Sequence, residues 1–302
     1  MQIMSIESHT SSIEDSNFDR QFQNVETFDV GTSQVEVVDV APEVLKTEVP
    51  TLIAPGWGCS IDSYRETLRA LNGLGRRALT LNHPRYGNSG ENEIHNVLGY
   101  PIDEIRKALN LIGILNKKKI GKADVVAHSE GAINATIAAL LYPEKFRNLA
   151  LYAPAGLIGK DNFQRLLMDF SDNLARERLY QTDADEITEE ERMKIVAIIN
   201  ETLAYFSKNP VRGINEAIAI SNTEIGEMLK ILHDKGVGTF VISGVDDQVF
   251  PMNKIQGNSS QDFLDGFISV KGGHYDLQIR PEKYIKGITG MFDSSVARSE
   301  KK

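Results

Sequence analysis

Residues 125–132 read Val125-Val126-Ala127-His128-Ser129-Glu130-Gly131-Ala132, an apolar run that ends at a serine between small residues. The apolar run predicts a buried strand, and the Ala- and Ile-rich segment after it predicts a helix. A serine at the tip of such a tight turn adopts a strained backbone, so the positions two before and two after it, Ala127 and Gly131, have to be small. The turn sets the Ser129 hydroxyl at a helix N-terminus, which favours developing negative charge. The pattern indicates a nucleophilic serine.

The segments on either side of this stretch alternate between strand and helix. Residues 25–30 and 34–40 alternate in polarity around Gly31-Thr32-Ser33, which predicts a hairpin. Further strands are predicted over residues 51–54, 76–81, 123–127, 149–153, 239–243 and 267–270, with helical spacing between them. Because these strands are apolar on both faces, we expect a mostly parallel sheet covered by helices, an α/β fold.

One part of the chain departs from this alternation. Residues 156–221 contain no convincing strand and instead predict three helices, the second of which begins with a capping box formed by Thr188 and Glu191. We therefore expect a helical insertion in the α/β core. The predicted division is a flexible acidic tail at 1–24, a core at 25–155 and 222–293, the insertion at 156–221 and a C-terminal tail at 294–302. The alternative for the first tail is that Phe18 and Phe22 dock on the core.

Composition and charge exclude several classes of protein. The chain has 302 residues, of which 41% are hydrophobic and 25% charged, as in ordinary globular proteins rather than disordered or fibrous ones. Its net charge is −9, and six acids with one arginine in residues 1–30 leave only −4 for the rest. Since no basic patch remains to contact phosphates, we expect neither nucleic acid nor an anionic membrane surface as a partner.

The single cysteine, Cys59, excludes a disulfide within the chain and fits a reducing compartment. Residues 1–23 lack the basic start and apolar run of a signal peptide. No apolar stretch approaches the roughly 18–20 residues that span a bilayer. These observations predict a cytoplasmic protein without a membrane span, and they leave open whether it is a monomer or a homodimer.

A nucleophilic serine needs a base, and His274 is the best placed of the six histidines. It follows the strand predicted at 267–270, and the glycines before it allow a loop to carry the ring over the sheet edge. His128, beside the serine, should point away from it and be part of the buried structure. From the residues alone, His83 remains as the other candidate.

The base needs an acid that orients it. Asp246 and Asp247 follow the strand predicted at 239–243, and either could accept the imidazole N–H and set its tautomer. Two aspartates beside a glycine would also suit a solvated turn. Composition and spacing alone leave the choice between them open.

The order of serine, aspartate and histidine resembles the α/β-hydrolase fold superfamily, in the form that carries a helical cap. In that family the acid commonly lies in G-x-x-D-x-x-x-P, which Gly244, Asp247 and Pro251 match. The resemblance therefore implies Asp247, together with Ser129 and His274, as the catalytic triad.

The resemblance also implies an oxyanion hole. Pro55-Gly56-Trp57-Gly58 is similar to the family's oxyanion loop, although Pro55 stands where a histidine is usual. By this match the donors are the backbone N–H groups of Trp57 and Glu130. Residues 82–89 resemble a structural loop of the family, with Asn82 in place of the usual aspartate. The resemblance therefore implies that His83 is a packing or rim residue rather than a second base.

The activity that the resemblance implies is that of a serine hydrolase, which cleaves an ester or related acyl bond through an acyl-enzyme. The apolar side chains at helical spacing in the predicted insertion favour a small to medium, mainly apolar substrate. No cofactor and no metal are expected, and the partner is a small acyl substrate. Thioester, amide or carbon–carbon bond hydrolysis, acyl transfer and cofactor-free haloperoxidase activity use the same triad. A ligand-binding receptor that keeps the fold but turns over poorly is the alternative from another class.

Overall fold

A central sheet is built from both antiparallel and parallel strands. A computed structural model describes residues 16–84, 86, 89, 102–159, 161–179, 188–258 and 263–299. The strands are β1 (Glu26–Val30), β2 (Ser33–Val40), β3 (Thr51–Ala54), β4 (Ala78–Leu81), β5 (Ala123–His128), β6 (Phe146–Tyr152), β7 (Gly238–Gly244) and β8 (Gly266–Val270). They form an eight-stranded sheet in the order β1-β2-β4-β3-β5-β6-β7-β8. β1 with β2 and β2 with β4 pair antiparallel, and every other pair is parallel. The predicted mostly parallel sheet is confirmed.

Helices cover both faces of the sheet. They are α1 (16–23), α2 (Arg65–Gly73), α3 (Ile102–Lys117), α4 (Gly131–Leu141), α5 (Phe163–Leu179), α6 (Glu189–Lys208), α7 (Pro210–Asn222), α8 (Gly226–Asp234), α9 (Met252–Asn258), α10 (Asp276–Ile279) and α11 (Glu282–Ser299). Neighbouring residues of β3 point to opposite faces: Leu52 packs in the core beneath α3, α4 and α8, and Ile53 in the core beneath α2 and α11. Within the described part of the chain, no helix is both long and apolar enough to cross a membrane.

Helices α5, α6 and α7, called the cap below, lie between β6 and β7 in the chain, where the sequence predicts an insertion. The predicted capping box is present: the Glu191 amide donates to the Thr188 hydroxyl and the Thr188 amide to the Glu191 carboxylate. The cap reaches the loop after β3, because Thr202 Oγ1 lies 3.4 Å from the Gly58 carbonyl and Ser63 Oγ lies 2.6 Å from Glu201 Oε2. The cap therefore covers the loop at residues 55–58, whose sequence resembles an oxyanion loop.

The N-terminal segment is attached to the core where the structure describes it. In α1, Phe18 and Phe22 are only 2% and 5% exposed. The guanidinium groups of Arg69 and Arg65 lie 4.8 and 4.9 Å from the centres of these rings. The expectation of a flexible tail does not hold for α1, whose rings dock on α2 as the alternative proposed. Residues 1–15 lie outside the described residues.

The C-terminal expectation also needs correction. Helix α11 runs through Ser299, so residues 294–299 are helical rather than a tail. Ser295 Oγ donates a hydrogen bond of 2.7 Å to Asn148 Oδ1 on β6, which ties this end of the helix to the sheet. Residues 300–302 lie outside the described residues.

Candidate active site

The chain turns sharply at Ser129, between β5 and α4. Its φ is +55°, in the left-handed region that is strained for a serine. Hydrogen bonds hold the turn: the Ser129 amide donates to the Tyr152 carbonyl at 3.0 Å, and the Ser129 carbonyl accepts from Ala132 N at 3.0 Å. A Cβ atom on Gly131 would lie 2.2 Å from the Ala54 carbonyl oxygen, so only glycine fits two residues after the serine. The sharp turn predicted from residues 125–132 is present.

Three of the side chains singled out from the sequence meet at the carboxyl edge of the sheet. Ser129 follows β5, Asp247 follows β7 and His274 follows β8. His274 Nε2 lies 3.1 Å from Ser129 Oγ, and His274 Nδ1 lies 3.0 Å from Asp247 Oδ2. Ser129, Asp247 and His274 are 6%, 2% and 1% exposed. Residues up to 145 positions apart in the chain thus form one line of hydrogen-bonding contacts.

Asp247 is held in place by its own loop. Its Oδ1 accepts hydrogen bonds from the amides of Val249 at 2.8 Å and Phe250 at 3.0 Å, which leaves Oδ2 directed at His274. Asp246, by contrast, is exposed to solvent. Of the two aspartates that residue spacing leaves open, the structure brings Asp247 to the histidine.

The neighbours of His274 determine its tautomer. A carboxylate can only accept a hydrogen bond, so Nδ1 carries the proton and donates a hydrogen bond to Asp247. Nε2 is then unprotonated and accepts the hydrogen bond of the Ser129 hydroxyl. This arrangement allows the ring to take up the serine proton.

Two backbone amides lie beside the serine. A Cβ atom on Gly56 would lie 3.1 Å from Ser129 Cβ, so the loop that carries Trp57 runs directly against the serine. Glu130 is the first residue before α4, where amides have no partner within the helix. Within the described residues, neither the Trp57 amide nor the Glu130 amide donates a hydrogen bond. These two amides are the candidate donors to a ligand oxygen.

The loop is supported by a residue that sequence reasoning missed. The Gly56 amide donates to the Tyr64 hydroxyl at 2.8 Å, and that hydroxyl lies 2.7 Å from His128 Nδ1. Tyr64 and His128 thus fasten a loop in which Pro55 replaces the usual histidine. As expected, His128 is buried and belongs to the structure around the triad. In the sequence Tyr64 is only one apolar position of a helical pattern, which carries no sign of this role.

The loop after β4 has a structural part. Asn82 Oδ1 accepts from the Ile61 amide at 2.8 Å, and Asn82 Nδ2 donates to Glu36 Oε2 at 2.8 Å. His83 is buried, and its ring lies 6.3 Å from that of Tyr86, so it is a packing residue. Gly87, on which part of the resemblance of this loop rests, lies outside the described residues.

Sequence reasoning also missed a group of charged residues that packs behind the turn at Ser129. Lys107 of α3 lies against Glu130 and against Glu216 of α7, and all three side chains have no exposed surface. A signal for one of them exists in the sequence, because Lys107 shares the helical face of Ala108 and Leu111, which are buried. A lysine on such a face requires a partner that the sequence does not name.

Aromatic side chains of the cap pack on the loop after β3. The ring of Trp57 lies 4.9 Å from that of Phe170 and 4.5 Å from that of Phe206. The thiol of Cys59 is buried, and burial raises its pKa to about 12, so it is not a competing nucleophile. In the described residues, no group of three or more His, Cys, Asp or Glu side chains could hold a metal ion.

Comparison with known proteins identifies the family and the fold. A family model described as alpha/beta hydrolase fold matches residues 50–279. An esterase from Thermogutta terrifontis is 15% identical, with a TM-score of 0.64, over 90% of this chain and 99% of that one. An enol-lactonase from Burkholderia xenovorans LB400 is 14% identical, with a TM-score of 0.69, over 89% and 100%. A bromoperoxidase from Bacillus anthracis is 14% identical, with a TM-score of 0.64, over 89% and 100%.

A search of curated proteins finds no match. At 14–15% identity the solved structures establish a common fold. The family model spans most of the chain, from β3 to α10, and includes the serine turn and both loops that bring Asp247 and His274 to it. This chain therefore belongs to the alpha/beta hydrolase fold family of enzymes.

Proposed function

We propose that the enzyme hydrolyses carboxylic esters with Ser129 as nucleophile, His274 as base and Asp247 as the acid that orients the base. The observation that carries the proposal is the unbroken line of contacts from Ser129 Oγ through the imidazole to Asp247, at 3.1 and 3.0 Å. A strained turn that exposes a serine hydroxyl to a histidine is suited to nucleophilic attack on a carbonyl carbon.

The chemical steps follow from the positions of the atoms. Ser129 Oγ attacks the ester carbonyl while its proton passes to His274 Nε2. The carbonyl oxygen becomes an oxyanion, which accepts hydrogen bonds from the amides of Trp57 and Glu130. The C–O bond to the alcohol then breaks, and the leaving oxygen takes the proton from His274. Water repeats the sequence on the acyl-enzyme and releases the carboxylic acid and free Ser129.

An apolar acyl group suits the surroundings of the proposed site. Trp57, Phe170 and Phe206 form an aromatic cluster beside the oxyanion loop. Glu216, which accepts from the Trp57 side chain, already pairs with Lys107 at 3.0 Å. We therefore propose a small to medium acyl chain without a charge. Thioesters, amides and acyl transfer to other acceptors would use the same groups.

The test is labelling of Ser129 by a fluorophosphonate, followed by turnover of p-nitrophenyl esters of increasing acyl length. We expect both in the natural chain and neither in Ser129→Ala, which should lose about 10⁴-fold or more in kcat while it stays folded. Labelling without turnover would overturn the proposal in favour of a ligand-binding protein. Turnover in Ser129→Ala above a tenth of the natural rate would overturn the assignment of the nucleophile.

The cellular setting belongs to the same proposal. A single, buried thiol with a raised pKa suits a reducing compartment, and we propose the cytoplasm. Cell fractionation tests this location, and light scattering decides between a monomer and a homodimer.

A further inference from the structure

A group of buried charged side chains lies behind the proposed oxyanion hole, where α3, the serine turn and the cap meet. Lys107 Nζ on α3 lies 2.5 Å from Glu130 Oε1 and 3.0 Å from Glu216 Oε1. All three side chains are fully buried. Arg212 on α7 adds a second cation, with its Nε 3.1 Å from Glu216 Oε1. Glu216 of the cap is thus in contact with both cations, Lys107 and Arg212.

The second oxygen of Glu216 holds the side chain of the first proposed oxyanion donor. Trp57 Nε1 donates to Glu216 Oε2 at 3.0 Å, and the Tyr205 hydroxyl donates to the same oxygen at 2.8 Å. Each carboxylate oxygen therefore has two donors, cations on one and neutral groups on the other. Trp57 is only 6% exposed, so water does not readily replace this bond.

The second proposed donor is tied to Glu216 through Lys107. Glu130 has its amide at the proposed oxyanion hole and its carboxylate against the Lys107 ammonium, which also contacts Glu216. Trp57 and Glu130, whose amides are the two proposed donors, are therefore both held through their side chains to one carboxylate of the cap.

Glu216 is the carboxylate that both cations of this group share. Burial and the neighbouring Glu130 carboxylate raise the pKa of Glu104 well above its usual range. Lys107 and Arg212 face the carboxylates of Glu130 and Glu216, and Arg212 Nη2 also lies 3.7 Å from Asp103 Oδ1. A buried cation that loses its partner is strongly unfavourable, so the group holds together with the cap seated.

We propose that Glu216 is a positioning residue through which a seated cap sets the spacing of the two oxyanion donors. This inference rests on the proposed function, because it assigns Glu216 to the same reaction. When the cap lifts, Trp57 and Lys107 lose the same partner together. The two amides then lose their alignment, and stabilisation of the oxyanion falls with them.

Glu216→Gln tests the inference with little change in shape. Since Lys107 and Arg212 only donate, the oxygen of the new side-chain amide must face them and its NH2 group must face Trp57 Nε1. Two donors then oppose each other, and the Trp57 hydrogen bond is lost. We expect kcat on p-nitrophenyl butyrate to fall at least about tenfold, with KM changed less than about threefold, because a misplaced oxyanion donor affects the transition state.

Fluorescence reports the contact directly, because Trp57 is the only tryptophan of the chain. Its emission should shift in Glu216→Gln. Glu191→Gln is the matched control: it removes a cap–core ion pair, with Arg280 at 2.7 Å, by the same chemical change. We expect that control to keep the emission spectrum and to keep kcat within about twofold.

Trp57→Phe removes the same hydrogen bond by taking away its donor. If Glu216→Gln fails to fold, the kcat of Trp57→Phe tests the inference in its place. We expect Trp57→Phe to lower kcat, and we expect its effect and that of Glu216→Gln to be non-additive. A folded Glu216→Gln with shifted emission but natural kcat would overturn the inference and leave the proposed hydrolysis intact. A natural chain that neither reacts with the fluorophosphonate nor turns over esters would overturn both.

Discussion

The ring of His128 supports the backbone of His274: His128 Nε2 lies 2.9 Å from the His274 carbonyl oxygen. A carbonyl only accepts, so Nε2 carries the proton, and Nδ1 accepts from the Tyr64 hydroxyl. Burial lowers the pKa of His128 well below its usual value, which keeps the ring neutral in this role. Because Tyr64 in turn holds Gly56, one chain of hydrogen bonds joins the proposed oxyanion loop to the loop of the proposed base.

His128→Leu tests this chain. The substitution leaves the buried Tyr64 hydroxyl without an acceptor and the buried His274 carbonyl without a donor. The free energy of unfolding should therefore fall by about 2 kcal/mol or more. The loosened loops should lower kcat as well. Urea unfolding and ester turnover measure the two effects. His233→Leu, at a half-exposed histidine, is the control and should stay within about 0.5 kcal/mol. Equal stabilities of the two variants would contradict the supporting role.

Asp247→Asn should lower kcat by roughly 10³–10⁴-fold. The new side-chain amide would keep its oxygen toward the amides of Val249 and Phe250, so its NH2 group would face His274 Nδ1. That favours the tautomer with the proton on Nε2, which cannot accept the serine proton. Asp246→Asn changes an exposed side chain and should alter kcat only a few-fold. The reverse ranking would show that the wrong aspartate has been assigned.

Phe18→Ala should lower the free energy of unfolding by about 3 kcal/mol, because it empties a buried site between α1 and α2. Deletion of residues 1–24 should therefore lower the melting temperature. This is the opposite of what a flexible tail predicts. The exposed Arg20, changed to alanine, serves as the control on the same helix. An unchanged unfolding curve for Phe18→Ala would show that α1 contributes no stability, as expected of a flexible tail.

The contact between Glu201 of the cap and Ser63 gives a pH dependence. Burial raises the pKa of Glu201 to about 7, so the folded protein binds its proton more tightly than the unfolded chain does. A group whose pKa rises on folding contributes stability at low pH, and that contribution is lost as the pH rises from the unfolded value of about 4.5 to about 7.

Glu201→Gln removes this titration. The variant should gain stability relative to the natural chain as the pH rises from 5 to 8, by on the order of 1–3 kcal/mol. Urea unfolding at pH 5, 6 and 8 measures the difference. A difference that stays constant across these pH values would mean that Glu201 titrates in the fold as it does in the unfolded chain.

The proposed site shows how far local pattern extends. The turn at Ser129 was predictable because the requirement for small neighbours acts within five residues. The confirmed fold follows from the alternation of short apolar runs with segments of helical spacing. The position of His274 in a glycine-containing loop was predictable for the same reason. Composition did not distinguish Asp246 from Asp247, since both suit a turn. The amides of Val249 and Phe250 distinguish them, and that contact exists only once the loop is folded.

By itself, the sequence determined the order of the strands and of the helices between them, the turn at Ser129 and the capping box at Thr188, because each depends on residues close together in the chain. Tertiary structure alone decided that α1 docks on α2, that Tyr64 holds the proposed oxyanion loop and that Lys107 meets Glu216. The partners in these contacts lie far apart in the chain, and hydrophobic periodicity describes a buried face without naming what covers it. The pairing of Lys107 with Glu216 is set by the cost of an unpaired buried charge, which arises only when α3 and α7 have packed.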